Sequence, residues 1–388
     1  MTQMLRAASA ADWSGAVGVP SSVLTEWRGS ARKQESGLHQ LSPYIGKMKS
    51  SMARELVRAF TRPGDVVYDP FSGSGTIALE AWMAGRAVVA NDLNPYAALL
   101  TRAKLRPYRS SDHALRRVAV LARGVEASLP HVDLRQIPKW VRAFFHPETL
   151  RETDAWARVL RAQRSKYLLA CLLGILHHQR PGFLSYPSSH SVPYLRDRKF
   201  PREDFPELYA YREVRPRLER KIARSFRKRP ELDFMLSREC FARDARSLAP
   251  RRDVRAIVTS PPYMSQLDYA RDNRLRLWFL GRIDWRPLEP LLSPAESYFL
   301  DLMRSCFALW RHVLVPGGFC VLVLGDKHSC RYRDTLPKAI EDIATRVVGG
   351  YSVVLRQSDT IPDLRRVRKD CRGSVAETVL VLRNEREG

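Results

Sequence analysis

Short apolar runs that stop at a small or acidic residue recur along the chain, and most of them are about as long as one buried strand. Residues 66–68, 87–90, 240–244, 256–260, 319–324, 351–355 and 375–382 carry this pattern, rich in Val, Ile, Leu and aromatic residues. Helical spacing surrounds the first two: residues 47–60 precede them, 77–83 lie between them, and 96–105 follow, ending before Pro107. Strand and helix in alternation predict an α/β fold, doubly wound around a mostly parallel sheet, with the last two strands as an antiparallel pair at one edge. Residues 310–318 read as a helix closing in a Pro-Gly-Gly turn before the next strand.

Between residues 107 and 236 the strand pattern lapses. Long arginine-bearing helical stretches, 114–129 and 152–177, give way to a loop over 181–194. The chain therefore divides into an Ala-, Ser- and Gly-rich arm over 1–37, a first half-domain over 38–106, a largely helical insertion over 107–236 and a second half-domain over 237–388.

The first two strands hold candidate chemistry. Residues 66–95 read VVYDPFSGSGTIALEAWMAGRAVVANDLNP: a strand, then Asp69 and Pro70, a turn with Gly73 and Gly75, a helix, and a second strand ending in Asn91 and Asp92. Glycines at such a turn let backbone approach a ligand, and a carboxylate at the tip of the second strand can accept from both ribose hydroxyls of an adenosine. Gly73, Gly75 and Ala78 also fit the dinucleotide fingerprint, with Asp92 near the ribose-binding position.

A second motif follows the strand at 256–260, where the chain reads Thr259, Ser260, Pro261, Pro262, Tyr263. Each proline removes an N–H, so carbonyl oxygens, one hydroxyl and one aromatic face remain at the carboxyl end of a strand, where open α/β sheets bind ligands. Such a surface suits a flat ring bearing an amino group.

Together the two motifs resemble the amino-group DNA methyltransferases, which transfer a methyl from S-adenosylmethionine to cytosine N4 or adenine N6. The resemblance implies a class I methyltransferase fold with S-adenosylmethionine as cofactor. On the matching positions, Asp69, Phe71, Ser72, Gly73, Ser74, Gly75 and Thr76 wrap the methionine part of the cofactor. Asp92, with Leu93 beside it, holds the ribose, and Asp244 lies near the adenine. Ser260, Pro261, Pro262 and Tyr263 form the catalytic tetrapeptide, and the helix at 47–60, with Ser50 and Ser51 at its start, touches the cofactor's carboxylate. The insertion occupies the place of a target-recognition region. The cues to the base are mixed: many enzymes with this motif order have Asp at the tetrapeptide's first position and act on adenine, whereas Ser260 resembles the cytosine-N4 enzymes. Cytosine N4 is the expectation, with adenine N6 as the alternative and RNA as a further one.

Charge agrees with a nucleic-acid substrate. Lys plus Arg total 65 against 41 Asp plus Glu, a net charge of +24. One basic cluster is Arg215, Arg217, Arg220, Lys221, Arg224, Arg227, Lys228 and Arg229; another is Arg365, Arg366, Arg368, Lys369 and Arg372. His177, His178, His190 and Tyr186 are candidate DNA contacts. The expected partners are double-stranded DNA and a cognate restriction endonuclease, for a monomer or homodimer. Cys171, Cys240, Cys306, Cys320, Cys330 and Cys371 show no zinc-site spacing, which leads us to expect no metal site and reduced thiols in a cytoplasmic protein. No apolar run is long enough to span a bilayer, so no membrane partner is expected.

Overall fold

The computed structural model describes residues 35–178, 183–187, 195–251, 253–262, 267–325, 328–329, 334–360 and 376–387. A seven-stranded sheet is built from β1 (Val66–Asp69), β2 (Ala87–Asn91), β3 (Arg238–Phe241), β4 (Val254–Thr259), β5 (Leu314–Gly325), β6 (Tyr351–Thr360) and β7 (Ala376–Asn384). Their spatial order is β3-β2-β1-β4-β5-β7-β6. The first five are mutually parallel, and β7 runs antiparallel to both β5 and β6. The antiparallel pair therefore closes that side of the sheet, with β7 inside and β6 outermost.

Alternation along the strands explains why both faces are covered. Val67, Val88, Ala90, Ala256, Val258, Val321 and Val323 enter one core, while Tyr68, Val89, Ile257, Cys320, Leu322 and Leu324 enter the other. A register slip of one residue would exchange these sets, and each large apolar side chain moved from core to water costs about 1.5–3 kcal/mol. Helices α1 (Ser50–Phe60), α2 (Thr76–Met83) and α3 (Pro95–Leu105) cover the first face. The second face is covered further along the chain by α9 (Glu296–Val313), which buries Phe299, Met303, Phe307 and Trp310.

Between α3 and β3 the described residues contain helices and no strand. The longer ones are α4 (Ser111–Ser128), α5 (Pro147–Ala162), α6 (Lys166–Ile175) and α7 (Val214–Ser225). They share a core with α3 and with α8 (Arg274–Gly281), which lies between β4 and α9. The apolar residues of α6, Tyr167 to Ile175, are buried all round, as expected of a central helix.

Three expected elements differ. Helix 152–177 is two helices, separated at Gln163–Ser165, where Arg164 adopts φ 49° and turns the chain without glycine or proline. The helix expected over 310–318 ends at Val313, and Leu314 already pairs with Val254 of β4, so the Pro-Gly-Gly lies within β5. Helix 47–60 begins at Ser50; neither serine caps it, since Ser50 Oγ donates to Glu35 Oε1 at 2.7 Å and Ser51 is buried.

Candidate active site

The strand order reverses between β1 and β4, the position where open α/β sheets form their ligand crevice. Asp69 ends β1, Asn91 ends β2, Phe241 ends β3 and Thr259 ends β4, so the chemistry-bearing residues follow four neighbouring strand ends. Across the reversal, Thr259 Oγ1 donates to Asp69 Oδ1 at 2.7 Å and accepts from Phe71 N at 3.3 Å. These bonds fix the start of the glycine turn against the end of β4.

The turn itself is pinned from the other side. Ser72 N donates to Asn91 O at 2.8 Å, Gly75 N closes on Ser72 O at 2.7 Å, and Gly73 N donates to Asp92 Oδ2 at 2.7 Å. Asn94 N donates to Asp92 Oδ1 at 2.8 Å, so both oxygens of this carboxylate are oriented by backbone. Each oxygen keeps lone pairs for further donors. The two glycines differ in role. Gly73, at φ 50°, faces open space apart from Tyr44, whereas a Cβ on Gly75, at φ 73°, would stand 2.6 Å from Thr101 Oγ1. Gly73 leaves room for close approach from the cleft, and Gly75 lets α2 pass against α3.

A cleft opens over these residues. It is lined by Asp69, Phe71, Ser72, Gly73, Ser74, Thr76, Asp92, Leu93, Asp244, Ser260 and Pro262 among the expected positions; Gly75 and Pro261 are outside the lining. Tyr263 falls outside the described residues. The cleft also takes Tyr44, Tyr269 and Tyr298, which the sequence motifs did not indicate, together with Asn91 at the end of β2 and Lys47 and Met48 from the segment expected to touch the cofactor's carboxylate. Met48 and Lys47 precede α1, so this segment, not the helix start at Ser50 and Ser51, reaches the cleft.

Burial sets the electrostatics. Asp69 is 1% exposed, and burial raises its pKa to about 8, against the opposing hydrogen bond from Thr259. Its Oδ2 has no hydrogen-bond partner among the described residues. Asp92 rises to about 6, again through burial, with the Asn94 and Gly73 amides holding it lower than burial alone would. Asp244 moves the opposite way because Arg246 hydrogen-bonds it, with Arg246 Nη2 also reaching Tyr298 Oη at 3.1 Å. Ser260 Oγ donates to Val323 O at 3.1 Å. Its hydrogen is thereby used, and its lone pairs are left as acceptors.

The other candidate contacts are distributed differently. His177 and Tyr186 are 3% and 7% exposed, His177 Nδ1 pairing with Ser185 Oγ at 2.8 Å, and His178 stacks on Phe183. Their packing into the insertion core argues against the expected DNA contact by His177 and Tyr186. His190 and the basic cluster at 365–372 lie outside the described residues, as do Cys330 and Cys371. Within the cluster on α7, Arg220, Arg224, Arg227 and Lys228 are exposed, while Lys221 donates to Gln40 O at 2.5 Å and Arg229 lies over Phe226 and Phe234. No helix among the described residues is long and apolar enough to cross a membrane.

A sheet of this order, with its crevice at the β1/β4 reversal and a glycine turn answered by a carboxylate on β2, is the class I methyltransferase fold, whose cofactor is S-adenosylmethionine. The residues fit that cofactor: Asp92 offers oriented acceptors, Gly73 leaves room for close approach, and Asp69 presents an unsatisfied buried oxygen. The model of the N6_N4_Mtase DNA methylase family matches residues 19–102 of this chain. The Type II methyltransferase M.MjaII of Methanocaldococcus jannaschii is 28% identical over 79 residues, which are 20% of this chain and 15% of that protein. The chain thus matches only a small part of its curated relative's length. Among solved structures, TrmN from Thermus thermophilus is 13% identical with a TM-score of 0.36, covering 89% of this chain and 52% of its own. The rRNA methyltransferase aviRa from Streptomyces viridochromogenes is 12% identical with a TM-score of 0.35, covering 92% and 94%. These scores are low, and the fold assignment rests on the strand order.

Proposed function

We propose that this chain methylates the exocyclic N4 amine of cytosine in double-stranded DNA, with the target base turned out of the helix. The observation that carries this reading is Ser260. It lines the same cleft as Asp92 and the glycine turn, at the carboxyl end of β4, with its hydroxyl hydrogen donated to Val323 O and its lone pairs available.

An exocyclic amine conjugated to its ring is a weak nucleophile, and acceptors that take its two hydrogens turn its lone pair outward. Ser260 Oγ accepts one hydrogen and the Pro261 carbonyl the other, while the Tyr263 ring stacks on the base. S-adenosylmethionine, when bound, would supply an activated methyl for transfer to the amine, leaving as its thioether, and the amine's surplus proton would pass to water. Asp92 accepts from the cofactor's ribose hydroxyls, Asp244 faces its adenine, and the residues from Asp69 to Thr76 enclose its methionine part. Asp69 Oδ2 is the acceptor placed for the cofactor's ammonium group. Fixing amine and methyl in one cleft supplies much of the acceleration.

Residues 107–236 act as the target-recognition region, and the exposed face of α7 contacts the phosphate backbone. A restriction endonuclease of the same recognition sequence is the expected functional partner. The deciding experiment incubates the purified chain with S-adenosylmethionine and DNA of varied sequence, then digests to nucleosides and separates them by mass. The expected product is 4-methylcytosine. 6-methyladenine alone would overturn the base assignment, and methyl groups on RNA only would overturn the substrate class.

A further inference from the structure

We propose that a second cleft, between the last turn of α3, the edge strand β3 and the turn joining α5 to α6, is a binding site for phosphate groups. Arg102, Arg106, Arg117, Arg164, Lys166 and Arg238 line it, and no Asp or Glu does. The remaining lining is uncharged, and the cavity volume is about 550 Å³. Six cations facing one concavity repel each other, a cost that an anionic ligand would relieve.

The existing contacts of these side chains leave them available. Arg102 Nε donates to Cys240 O at 2.9 Å, Arg106 Nη2 to Arg238 O at 3.4 Å and Arg117 Nη2 to Gln163 Oε1 at 3.1 Å. Each of these bonds uses one of five N–H groups, and all the acceptors are uncharged. Arg238 lies over the Trp82 ring at 4.2 Å and donates from Nη2 to Phe234 O at 3.2 Å, with Asp233 near enough to act on its charge. Burial first, and then Arg102, Arg106 and Arg164, lower the pKa of the Lys166 ammonium. Capping the exposed edge of β3 accounts for Arg102 and Arg106. It does not account for Arg117, Arg164 or Lys166, which come from the insertion.

Arginine guanidinium forks bind phosphate oxygens in pairs, and six cations in one cleft suit a ligand that presents several phosphate groups together. Phosphates could come from the DNA backbone or from a free polyphosphate, and the two sources separate in one experiment. The DNA arm rests on the function proposed above; the polyphosphate arm does not. The variant Arg106→Gln/Arg164→Gly/Lys166→Gln removes three charges at exposed positions, and glycine suits the φ of 49° at position 164. Wild type and variant are titrated calorimetrically with sodium tripolyphosphate, and with a duplex by fluorescence anisotropy at several salt concentrations. S-adenosylmethionine titration serves as the control for an intact fold.

The expected result is at least a tenfold loss of duplex affinity, with the slope of log affinity against log salt reduced by roughly 2–3, because each phosphate contact contributes about 0.9. Loss of duplex affinity assigns the DNA backbone. Loss of tripolyphosphate affinity with unchanged duplex binding assigns a free polyphosphate. Unchanged binding of both in a variant that still binds cofactor overturns the proposal. A chain that methylates no DNA but loses tripolyphosphate in the variant would retain this site while losing the proposed function.

Discussion

Helix α3 joins two clefts that handle charge in opposite ways. At its amino end, Asn94 and Asp92 close the cofactor cleft; at its carboxyl end, Arg102 and Arg106 enter the basic one. In the first, the carboxylates Asp69 and Asp92 are oriented by backbone or hydroxyl donors and raised toward the neutral form by burial, while the more exposed Asp244 is lowered by Arg246. In the second the charged groups are cations, spread over partly exposed side chains, with no Asp or Glu among the described lining residues. A buried, oriented acceptor selects one small ligand by geometry, whereas an array of cations attracts any phosphate by charge. It follows that pH should read the first cleft and salt the second.

The largest contrast is in the backbone, where both clefts use positive φ. Gly75→Ala should destabilise the chain by roughly 3 kcal/mol, because an alanine there is strained and its Cβ meets Thr101. Arg164→Gly should do the reverse and stabilise by about 0.5–1 kcal/mol, since glycine adopts that conformation freely. Denaturant unfolding of both variants checks the pair, and equal stabilities would remove the assigned difference in backbone constraint.

Next in size is Ser260→Ala. Losing the acceptor from the reacting amine should reduce turnover by roughly ten- to a hundredfold, about 1.4–2.8 kcal/mol, while cofactor affinity stays near wild type. Full activity would take this serine out of the chemistry.

The pH prediction follows from Asp69. Its folded pKa of about 8 lies above the ordinary value of 3.8, so between these the folded chain holds a proton that the unfolded chain has lost. Stability without cofactor should therefore fall as pH rises from about 4 to about 8. Affinity for the cationic cofactor should rise over pH 6–8, as Asp92 and then Asp69 ionise. Asp69→Asn should flatten the stability profile over that range, and a profile identical to wild type would show that Asp69 is ionised in the free protein.

The smallest expected effect belongs to α7. Arg220→Glu with Arg224→Glu should weaken duplex binding and lower its salt slope by roughly 2, measured by anisotropy. An unchanged slope would place the DNA backbone away from this helix.

Much of the sheet was legible because strands buried on both faces appear as unbroken apolar runs, and two of their ends carry compact motifs. Asp69, Gly73 and Asp92 could be related from sequence alone, since one short βαβ unit holds all three. Tyr44 could not, because it reaches the cleft from an irregular segment ahead of α1 with no periodicity to mark it; Lys47 and Met48 lay inside the expected 47–60 segment, though as part of a helix that in fact starts only at Ser50. The break at Arg164 was hidden for the related reason that no glycine or proline signals it. The basic cleft was invisible for a different one. Its six cations are scattered from residue 102 to residue 238, and only the folding of the insertion against β3 brings them together.

The central claim is that the β1/β4 cleft binds S-adenosylmethionine through Asp92, and calorimetric titration of wild type and Asp92→Ala with S-adenosylmethionine tests it most directly. Wild type should bind one equivalent, and the variant should bind at least tenfold more weakly, having lost hydrogen bonds to a charged acceptor of about 1.5–3 kcal/mol. Circular dichroism should show the same fold in both. Equal affinity in a folded variant would contradict the assignment of this carboxylate to the cofactor's ribose, and with it the placement of the cofactor in this cleft.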